Sequence, residues 1–223
     1  MPPQLISIII PAWREKDIAH VIRCLDGAPD VEMIVALAGE DETIATPDHV
    51  RVAISAKGRA LQMNAGALIA SGAILLFLHA DTVISPQSLT NVRKALGPPD
   101  IAGGSYRLKI DSDNLWLKLV SAVANLRSRV LGLPYGDQAI FLRRKTFEEI
   151  GGYQATPILE DVLLVEAIKK IGALALIDDY AVTSPRKWLR DGMVRNTARN
   201  WAIMIAYLLG ATPDKLDKWF TGS

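Results

Sequence analysis

A histidine and an aspartate follow the most hydrophobic segment of the chain. Residues 79–82 read His-Ala-Asp-Thr and come directly after the apolar run at residues 73–78. If that run is a buried strand of a parallel sheet, Asp81 lies beyond its carboxyl end, where such sheets bind their ligands. A carboxylate there is a hard oxygen ligand, suited to Mg²⁺ or Mn²⁺ held jointly with a diphosphate. Capping of the following turn by Asp81 is the alternative, and the sequence leaves both roles open.

A second acidic pair, Glu160 and Asp161, stands at the predicted start of a helix. The helix dipole favours carboxylates in the first turn, so capping alone explains the pair. A general base is the other role, because it requires a carboxylate within reach of an acceptor hydroxyl. Residues 135–138, Tyr-Gly-Asp-Gln, precede a short apolar segment. Gly136 there indicates either an ordinary turn or a close approach of the backbone.

Two basic segments have the composition of phosphate-binding sites. Lys57, Gly58 and Arg59 open a predicted helix, and helix N-terminal amides together with a guanidinium bind phosphate well. Residues 186–199 contain five Lys or Arg and one Asp, with Trp188 among them. Each segment has a simpler explanation as a solvated turn or helix face. The second could also face anionic lipid.

The elements that must position these residues follow from the apolar pattern of the first 82 residues. Strands are predicted at residues 5–10, 31–37, 50–54 and 73–78. The first strand is expected to stop at Pro11, and helices are expected over residues 18–27 and 58–71. Because each crossover must pack back on the sheet with one hand, this alternation predicts a Rossmann-like parallel sheet covered on both faces.

Past residue 83 the pattern becomes mixed. The sequence predicts a helix from Ser85, a longer strand at 101–110, a helix marked by Leu115, Leu119, Val123 and Leu126, a short strand at 139–142, a helix ended by Gly172 and a final helix from about Gly192. No linker or repeat interrupts the chain. We therefore expect one domain over residues 1–223, with a nucleotide-binding half at 1–82 and an acceptor half at 83–223.

Composition removes several classes of function. The chain has 25 Lys+Arg and 24 Asp+Glu, a formal charge of +1, which argues against nucleic-acid binding. Half of its residues are hydrophobic, too many for a disordered chain. The single cysteine, Cys24, excludes a disulfide framework. With no basic segment before an apolar run at the N-terminus, these features predict a cytoplasmic protein.

The longest apolar run, residues 201–211, is shorter than the roughly 20 residues that a helix needs to span a bilayer. Three roles stay open for this segment: a helix that packs on the core, a homodimer contact, or an interfacial helix that makes a peripheral membrane contact. The residues concerned are Trp201, Ile203, Met204, Ile205, Tyr207 and Leu208.

Taken together, the motifs resemble family 2 glycosyltransferases of the GT-A fold, a mixed and mainly parallel sheet flanked by helices. The resemblance covers most of the chain and rests on residues 6–12 with Glu15, 58–60, 62–66, 76–82, 136–138 and 159–161. More narrowly, the His-Ala-Asp-Thr segment and residues 183–188, Thr-Ser-Pro-Arg-Lys-Trp, resemble the subfamily associated with radical-SAM and selenium-related domains, also labelled arsenosugar-biosynthesis glycosyltransferases.

The resemblance implies an inverting transferase that moves a sugar from a nucleoside diphosphate, taken as UDP, to an unknown acceptor. Asp161 would be the general base with Glu160 beside it, and Asp81 would hold a divalent cation, Mg²⁺ or Mn²⁺. His79 would touch the ribose or the metal, and Asp137 the donor sugar or acceptor. The implied substrate-binding residues are Pro11, Glu15, Arg59, Asn64, His79, Asp137, Gln138, Arg186 and Trp188.

One segment departs from the family pattern. Relatives carry an aspartate that reads the nucleobase after the second strand, where this chain has Val-Ala-Leu-Ala-Gly-Glu at residues 35–40. Glu40 or Asp41 could replace it. Two rival functions remain: a sugar-phosphate nucleotidylyltransferase, which would need a Gly-rich loop after the first strand, and a non-catalytic nucleotide-sugar binder, which the altered segment favours.

Overall fold

The computed structural model describes residues 4–14, 18–39 and 44–220. The first part of the chain forms β1 (Ile6–Ala12), α1 (Ile18–Leu25), β2 (Val31–Ala38), β3 (Arg51–Ser55), α2 (Arg59–Ile69) and β4 (Ile74–Phe77). Strands β3, β2, β1 and β4 are neighbours in this order and pair in parallel. The predicted parallel sheet of the first half is therefore confirmed.

Strand β1 continues through Pro11 to Ala12, beyond the predicted stop. The reason lies in the neighbouring ladder. Strand β4 pairs with β1 only as far as Phe77 opposite Ile9, and the last bond on that side runs from the Leu78 amide to the Ile9 carbonyl. Pro11 has no amide hydrogen to donate, but β4 has already ended at this point of the ladder. The sheet therefore loses no hydrogen bond at Pro11.

The rest of the chain extends the same sheet. It forms β5 (Thr82–Val83), a 3₁₀ turn (Pro86–Ser88), α3 (Leu89–Ala95), β6 (Ile101–Ile110), α4 (Leu115–Leu131), a second 3₁₀ turn (Gly136–Gln138), β7 (Ile140–Arg143), α5 (Arg144–Glu149), α6 (Glu160–Ile171), β8 (Ala173–Thr183), α7 (Arg186–Asp191), α8 (Met193–Leu208) and α9 (Pro213–Phe220). The full strand order is β3-β2-β1-β4-β7-β6-β8-β5. Strand β7 is antiparallel to both β4 and β6.

Three features of this half differ from the sequence-based expectations. The strand β8 has no counterpart in the predicted elements, and α9 follows the helix that was expected to be the last. The apolar positions predicted on α4 also face the opposite way, because Leu115, Leu119 and Leu126 are exposed while Leu117 and Ala124 are buried.

The core lies on both faces of the sheet. Ile8 and Ile10 of β1 pack in one cluster with α1 and α3, and Ile9 packs in the other with α2 and α6. Helix α2 approaches the sheet closely, since a Cβ at Gly66 would lie 2.5 Å from the Cγ2 of Ile9. Within the described residues, no helix is long and apolar enough to cross a bilayer.

Candidate functional site

Three chain segments meet where the parallel strands end. Phe77, the last residue of β4, pairs with Ile140, the first of β7, so the turn before β7 lies beside the segment after β4. At the end of β8, Thr183 pairs with Thr82. The Ser184 amide then donates to the Asp81 carbonyl at 3.0 Å. Sheet pairing thus brings the His-Ala-Asp-Thr segment, the Gly136–Gln138 turn and the start of α7 together.

Gly136 allows the acidic helix start to join this group. Its amide donates to Oδ2 of Asp161 at 2.6 Å. A Cβ at this position would lie 2.7 Å from Nε2 of His79 and 3.3 Å from Oδ2 of Asp161. Any larger residue would push these side chains apart, which identifies the close backbone approach as the role of this glycine.

Asp161 is held by two backbone donors. Besides the Gly136 amide, the Val162 amide donates to its Oδ1 at 2.9 Å. Both carboxylate oxygens are therefore oriented by main-chain groups. Leu159, two residues before Asp161 at the N-cap of α6, has a φ of 63°, and Ala139 has a φ of 47° after the 136–138 turn. A non-glycine residue in this region costs about 1–3 kcal/mol, and such strain concentrates at functional sites.

Glu160 and Arg59 form an ion pair across the site, with Arg59 Nη1 2.9 Å from Glu160 Oε1. Glu160 is buried, and this burial together with the neighbouring Asp161 charge raises its pKa although Arg59 opposes the shift. Partial desolvation beside Glu160 opposes charge on Arg59, yet the charges of Glu160, Asp161 and Asp81 together raise its pKa. The Arg59 side chain is 49% exposed, so it can also contact a ligand.

Asp137 is half-buried, and its buried Oδ1 atom has no hydrogen-bond partner among the described residues. Burial raises its pKa to about 6, Arg127 and Lys187 oppose this shift, and the charges of Asp161 and Asp81 add to it. Asp81, Asp137 and Asp161 therefore lie close enough to interact electrostatically.

His79 is a neutral imidazole with an unused nitrogen. Burial, with the nearby charges of Arg59 and Lys187, lowers its pKa to about 3. In the described part of the chain its buried Nε2 finds no hydrogen-bond partner. This nitrogen lies beside Gly136, where the site segments meet, so it can form a hydrogen bond or a metal bond with a ligand there.

Lys187 is the site cation that the sequence-based assignment of residues did not single out, although it lies in the basic segment. Its pKa is lowered by burial and by Arg59 and Arg199, while Asp81 and Asp137 raise it. Its neighbour Arg186 lines a cavity of about 280 Å³ together with Asp81, and other residues of its wall are His20, Asp111 and Ser184. Arg59 and Lys187 thus provide positive charge from two different elements.

The donor set is compatible with a divalent cation that takes part of its coordination from a ligand. No cluster of three or more His, Cys, Asp or Glu capable of holding a metal occurs within the described residues. Mg²⁺, however, is usually bound by one or two carboxylates with the remaining positions filled by water and substrate phosphates. Asp81, beside the unpartnered Asp137 Oδ1 and His79 Nε2, meets that requirement.

Three predicted substrate-binding residues have other contacts. The Gln138 amide is fully buried and bonds Ser128, Arg127 and the Tyr106 carbonyl. Both ends of the Asn64 amide bond the backbone of Tyr153. Trp188 is buried in a cluster with Leu108, Ile110 and Leu117. These contacts tie each side chain to a neighbouring segment, and the substrate-binding role of the three residues stays a prediction.

Pro11 lies at the end of β1, buried in the sheet. Glu15, Glu40 and Asp41 fall outside the described residues. Gln62, which had no assigned role, donates through Nε2 to the carbonyls of Ala12 and Ala36, both at 2.8 Å. It fixes the ends of β1 and β2, and its polar side chain on an otherwise apolar stretch of α2 was the available signal.

The sequence profile described as Glycosyl transferase family 2 matches residues 7–155. Comparison with curated proteins finds no match. Similar solved structures include the mannosyltransferase PcManGT from Pyrobaculum calidifontis in complex with GDP-Man and Mn²⁺ (TM-score 0.63, 14% identity, 97% of this chain and 68% of that one). TarS from S. aureus, residues 1–349, in complex with UDP-GlcNAc, gives a TM-score of 0.60 at 15% identity over 80% of this chain and 58% of that one.

A third similar structure is glucosyl-3-phosphoglycerate synthase from Mycobacterium tuberculosis in complex with Mn²⁺, UDP and glucosyl-3-phosphoglycerate. Its TM-score is 0.55 at 19% identity, over 79% of this chain and 70% of that one. At such identities the likeness concerns the fold. This chain spans 58% to 70% of the length of these three structures.

Proposed function

This chain belongs to glycosyl transferase family 2 and has the GT-A fold, and from that premise we propose an inverting, metal-dependent transfer from a nucleoside-diphosphate sugar. One observation carries the proposal. Sheet pairing, the Gly136–Asp161 hydrogen bond and the Arg59–Glu160 ion pair bring the carboxylates Asp81, Asp137 and Asp161 to the carboxyl edge of the sheet together with the basic residues Arg59 and Lys187. The arrangement offers both a diphosphate site and a base.

The cations and the carboxylates have different roles. As the bond between the anomeric carbon and the diphosphate oxygen breaks, negative charge develops on the leaving group. Arg59 and Lys187 stabilise this charge more strongly in the transition state than in the ground state. A divalent cation held by Asp81 and the diphosphate would supply further positive charge.

Asp161 acts as the general base. It takes the proton of the acceptor hydroxyl while the acceptor oxygen bonds to the anomeric carbon from the face opposite the leaving group. Its two backbone hydrogen bonds hold the carboxylate in one orientation. A single displacement of this kind inverts the anomeric configuration. The neutral His79 would contact the ribose or the metal through Nε2. Asp137 would contact the sugar or the acceptor.

We place the chain in the subfamily labelled arsenosugar-biosynthesis glycosyltransferases. Its two characteristic segments are in contact, since the Ser184 amide donates to the Asp81 carbonyl. This contact supports a joint role at the diphosphate site.

The donor is proposed to be a UDP-sugar: one of the similar complexes contains UDP-GlcNAc and another contains UDP, while the third contains GDP-Man. A thermal-shift panel of nucleoside diphosphates and their sugars, with and without Mn²⁺, tests this assignment because a ligand that prefers the folded state raises the melting temperature. We expect UDP compounds with Mn²⁺ to give the largest shift. A larger shift with a GDP compound would refute UDP, and no shift with any nucleotide would refute the donor class.

The altered segment at residues 35–40 keeps one alternative open, a nucleotide-sugar binder without activity. Slow Mn²⁺-dependent hydrolysis of the preferred donor separates the two, because water can replace the acceptor only if the catalytic groups work. We expect hydrolysis to release the nucleoside diphosphate. Tight donor binding without any hydrolysis would favour the binder.

A further inference from the structure

Helix α8 buries polar side chains and exposes apolar ones, whereas a helix on a protein core usually does the opposite. Asn196 and Thr197 are buried on its inner side, together with Met204. Its exposed stripe is apolar and has the spacing 4-3-4-3, formed by Val194, Ala198, Trp201, Ile205 and Leu208. Trp201 is 54% and Leu208 62% exposed. Within this segment Met204 therefore packs on the protein interior, whereas Trp201, Ile205 and Leu208 belong to an exposed apolar stripe.

Helix α4 repeats this arrangement beside it. Its buried face holds Leu117, Ser121, Ala124 and Ser128, and its outer stripe is formed by Leu115, Leu119, Ala122, Leu126 and Val130. Trp116 Nε1 of α4 donates to Thr197 Oγ1 of α8 at 3.4 Å. Because the two helices are neighbours and each turns its other face to the domain, the stripes form adjoining parts of one surface, here called the α4–α8 surface.

The charge on these helices distinguishes the candidate occupants. Residues 115–131 and 193–208 contain no Asp or Glu and five Lys or Arg. Arg129 and Arg195 are exposed beside the apolar stripes. A second copy of this surface would set like charges against one another, which is unfavourable. An anionic surface is complementary to it.

We propose that the α4–α8 surface docks on an anionic lipid bilayer, with both helices lying in the plane of the interface. Exposed leucines with tryptophan and basic side chains are the composition of interfacial helices, and tryptophan prefers the headgroup level. Lys187 lies six residues before α8 begins, so docking holds the candidate site near the membrane surface.

Flotation of the full chain with vesicles tests the proposal. We expect the protein to float with vesicles of phosphatidylcholine and phosphatidylserine and to remain unbound with phosphatidylcholine alone. The triple variant Trp201→Ser, Ile205→Ser, Leu208→Ser should partition about 100-fold more weakly. Arg129→Gln with Arg195→Gln should weaken partitioning by about 20-fold, since each basic residue adds to the attraction.

Leu68→Ser is the matched control, because Leu68 is 84% exposed on α2, away from this surface; it should bind like the unmodified chain. All positions changed are exposed, and equal melting temperatures verify folding. Independently of any variant, tryptophan emission should shift to shorter wavelength with anionic vesicles only. Absence of flotation with anionic vesicles, unchanged binding of the triple variant, or a dimer that the triple variant dissociates without vesicle binding would overturn the proposal.

Discussion

The proposed general-base role of Asp161 predicts a specific outcome for Asp161→Asn. The carboxylate accepts from the Gly136 amide through Oδ2 and from the Val162 amide through Oδ1. Asparagine retains one acceptor oxygen, so one of these amides loses its partner. The structural cost is about 1–3 kcal/mol. For a domain of this size each kcal/mol lowers the melting temperature by about 2–4 °C.

The chemical cost is larger. An asparagine cannot accept the proton of the acceptor, and general-base catalysis contributes about 10²–10⁴-fold to the rate. That factor corresponds to roughly 3–5 kcal/mol of transition-state stabilisation. Arg59, Lys187 and Asp81 are unchanged in the variant. We therefore expect the rate to fall at least about 100-fold while donor affinity changes by less than about fivefold.

Single-turnover hydrolysis of the preferred donor gives the rate, and calorimetric titration gives the dissociation constant. Asp113→Asn is the matched control, because Asp113 is exposed and pairs only with Lys118 among the described contacts; it should change neither quantity. Retention of more than about a tenth of the rate, or an equal loss of donor affinity and rate, would refute the base role.

Three further predictions concern other carboxylates. Asp81→Asn should raise the half-saturating Mn²⁺ concentration for donor hydrolysis by about tenfold or more; an unchanged Mn²⁺ titration would contradict the metal role. The raised pKa of Asp137, about 6, means that the folded state holds its proton longer than the unfolded state, so the free energy of unfolding falls as pH rises from about 4 to 6. Asp137→Asn should therefore raise the melting temperature at pH 7, by the equivalent of roughly 3 kcal/mol, with the gain vanishing toward pH 4; a pH-independent difference would argue against it. For Glu32, hydrogen bonds from Ser7, Ser71 and Gly72 outweigh burial and lower its pKa to about 2, so it contributes stability that is lost as pH falls from about 4.5 toward 2. Glu32→Gln should cost roughly 2 kcal/mol at neutral pH in denaturant unfolding and remove that acid-sensitive part; equal stability at pH 7 would count against this interpretation.

Strands β1, β2 and β4 could be predicted because each is a run of apolar residues that is mostly buried in a parallel sheet. The edge strand β3 is largely exposed, and only its short apolar run marked it. β8 could not be identified in the same way. It is largely half-exposed, and the adjacent acids Asp178 and Asp179 in its middle are typical of a turn. Its strand conformation comes from pairing with β6 on one side and β5 on the other.

Periodicity likewise predicts that a segment is a helix without deciding which face is buried. The apolar stripes of α4 and α8 are regular, yet both face outward. Inward-facing polar groups such as Ser121, which donates to the Leu117 carbonyl and accepts from the Ile110 amide, satisfy their hydrogen bonds inside the protein. The Ile110 amide belongs to β6, so this hydrogen bond forms only when α4 packs against the sheet.

The sequence by itself determined which chemistry is available: a carboxylate after the fourth strand, an acid pair at a helix start, a glycine between them and two basic segments. Those features are local, because they depend on residue type and on the end of a strand or helix. Only the tertiary structure decided which of these groups meet. The antiparallel insertion of β7 beside β4 sets Gly136 against His79 and Asp161, and it turns Gln138 inward. No local pattern specifies such a register, since it results from packing between residues up to a hundred positions apart, as in the Arg59–Glu160 ion pair.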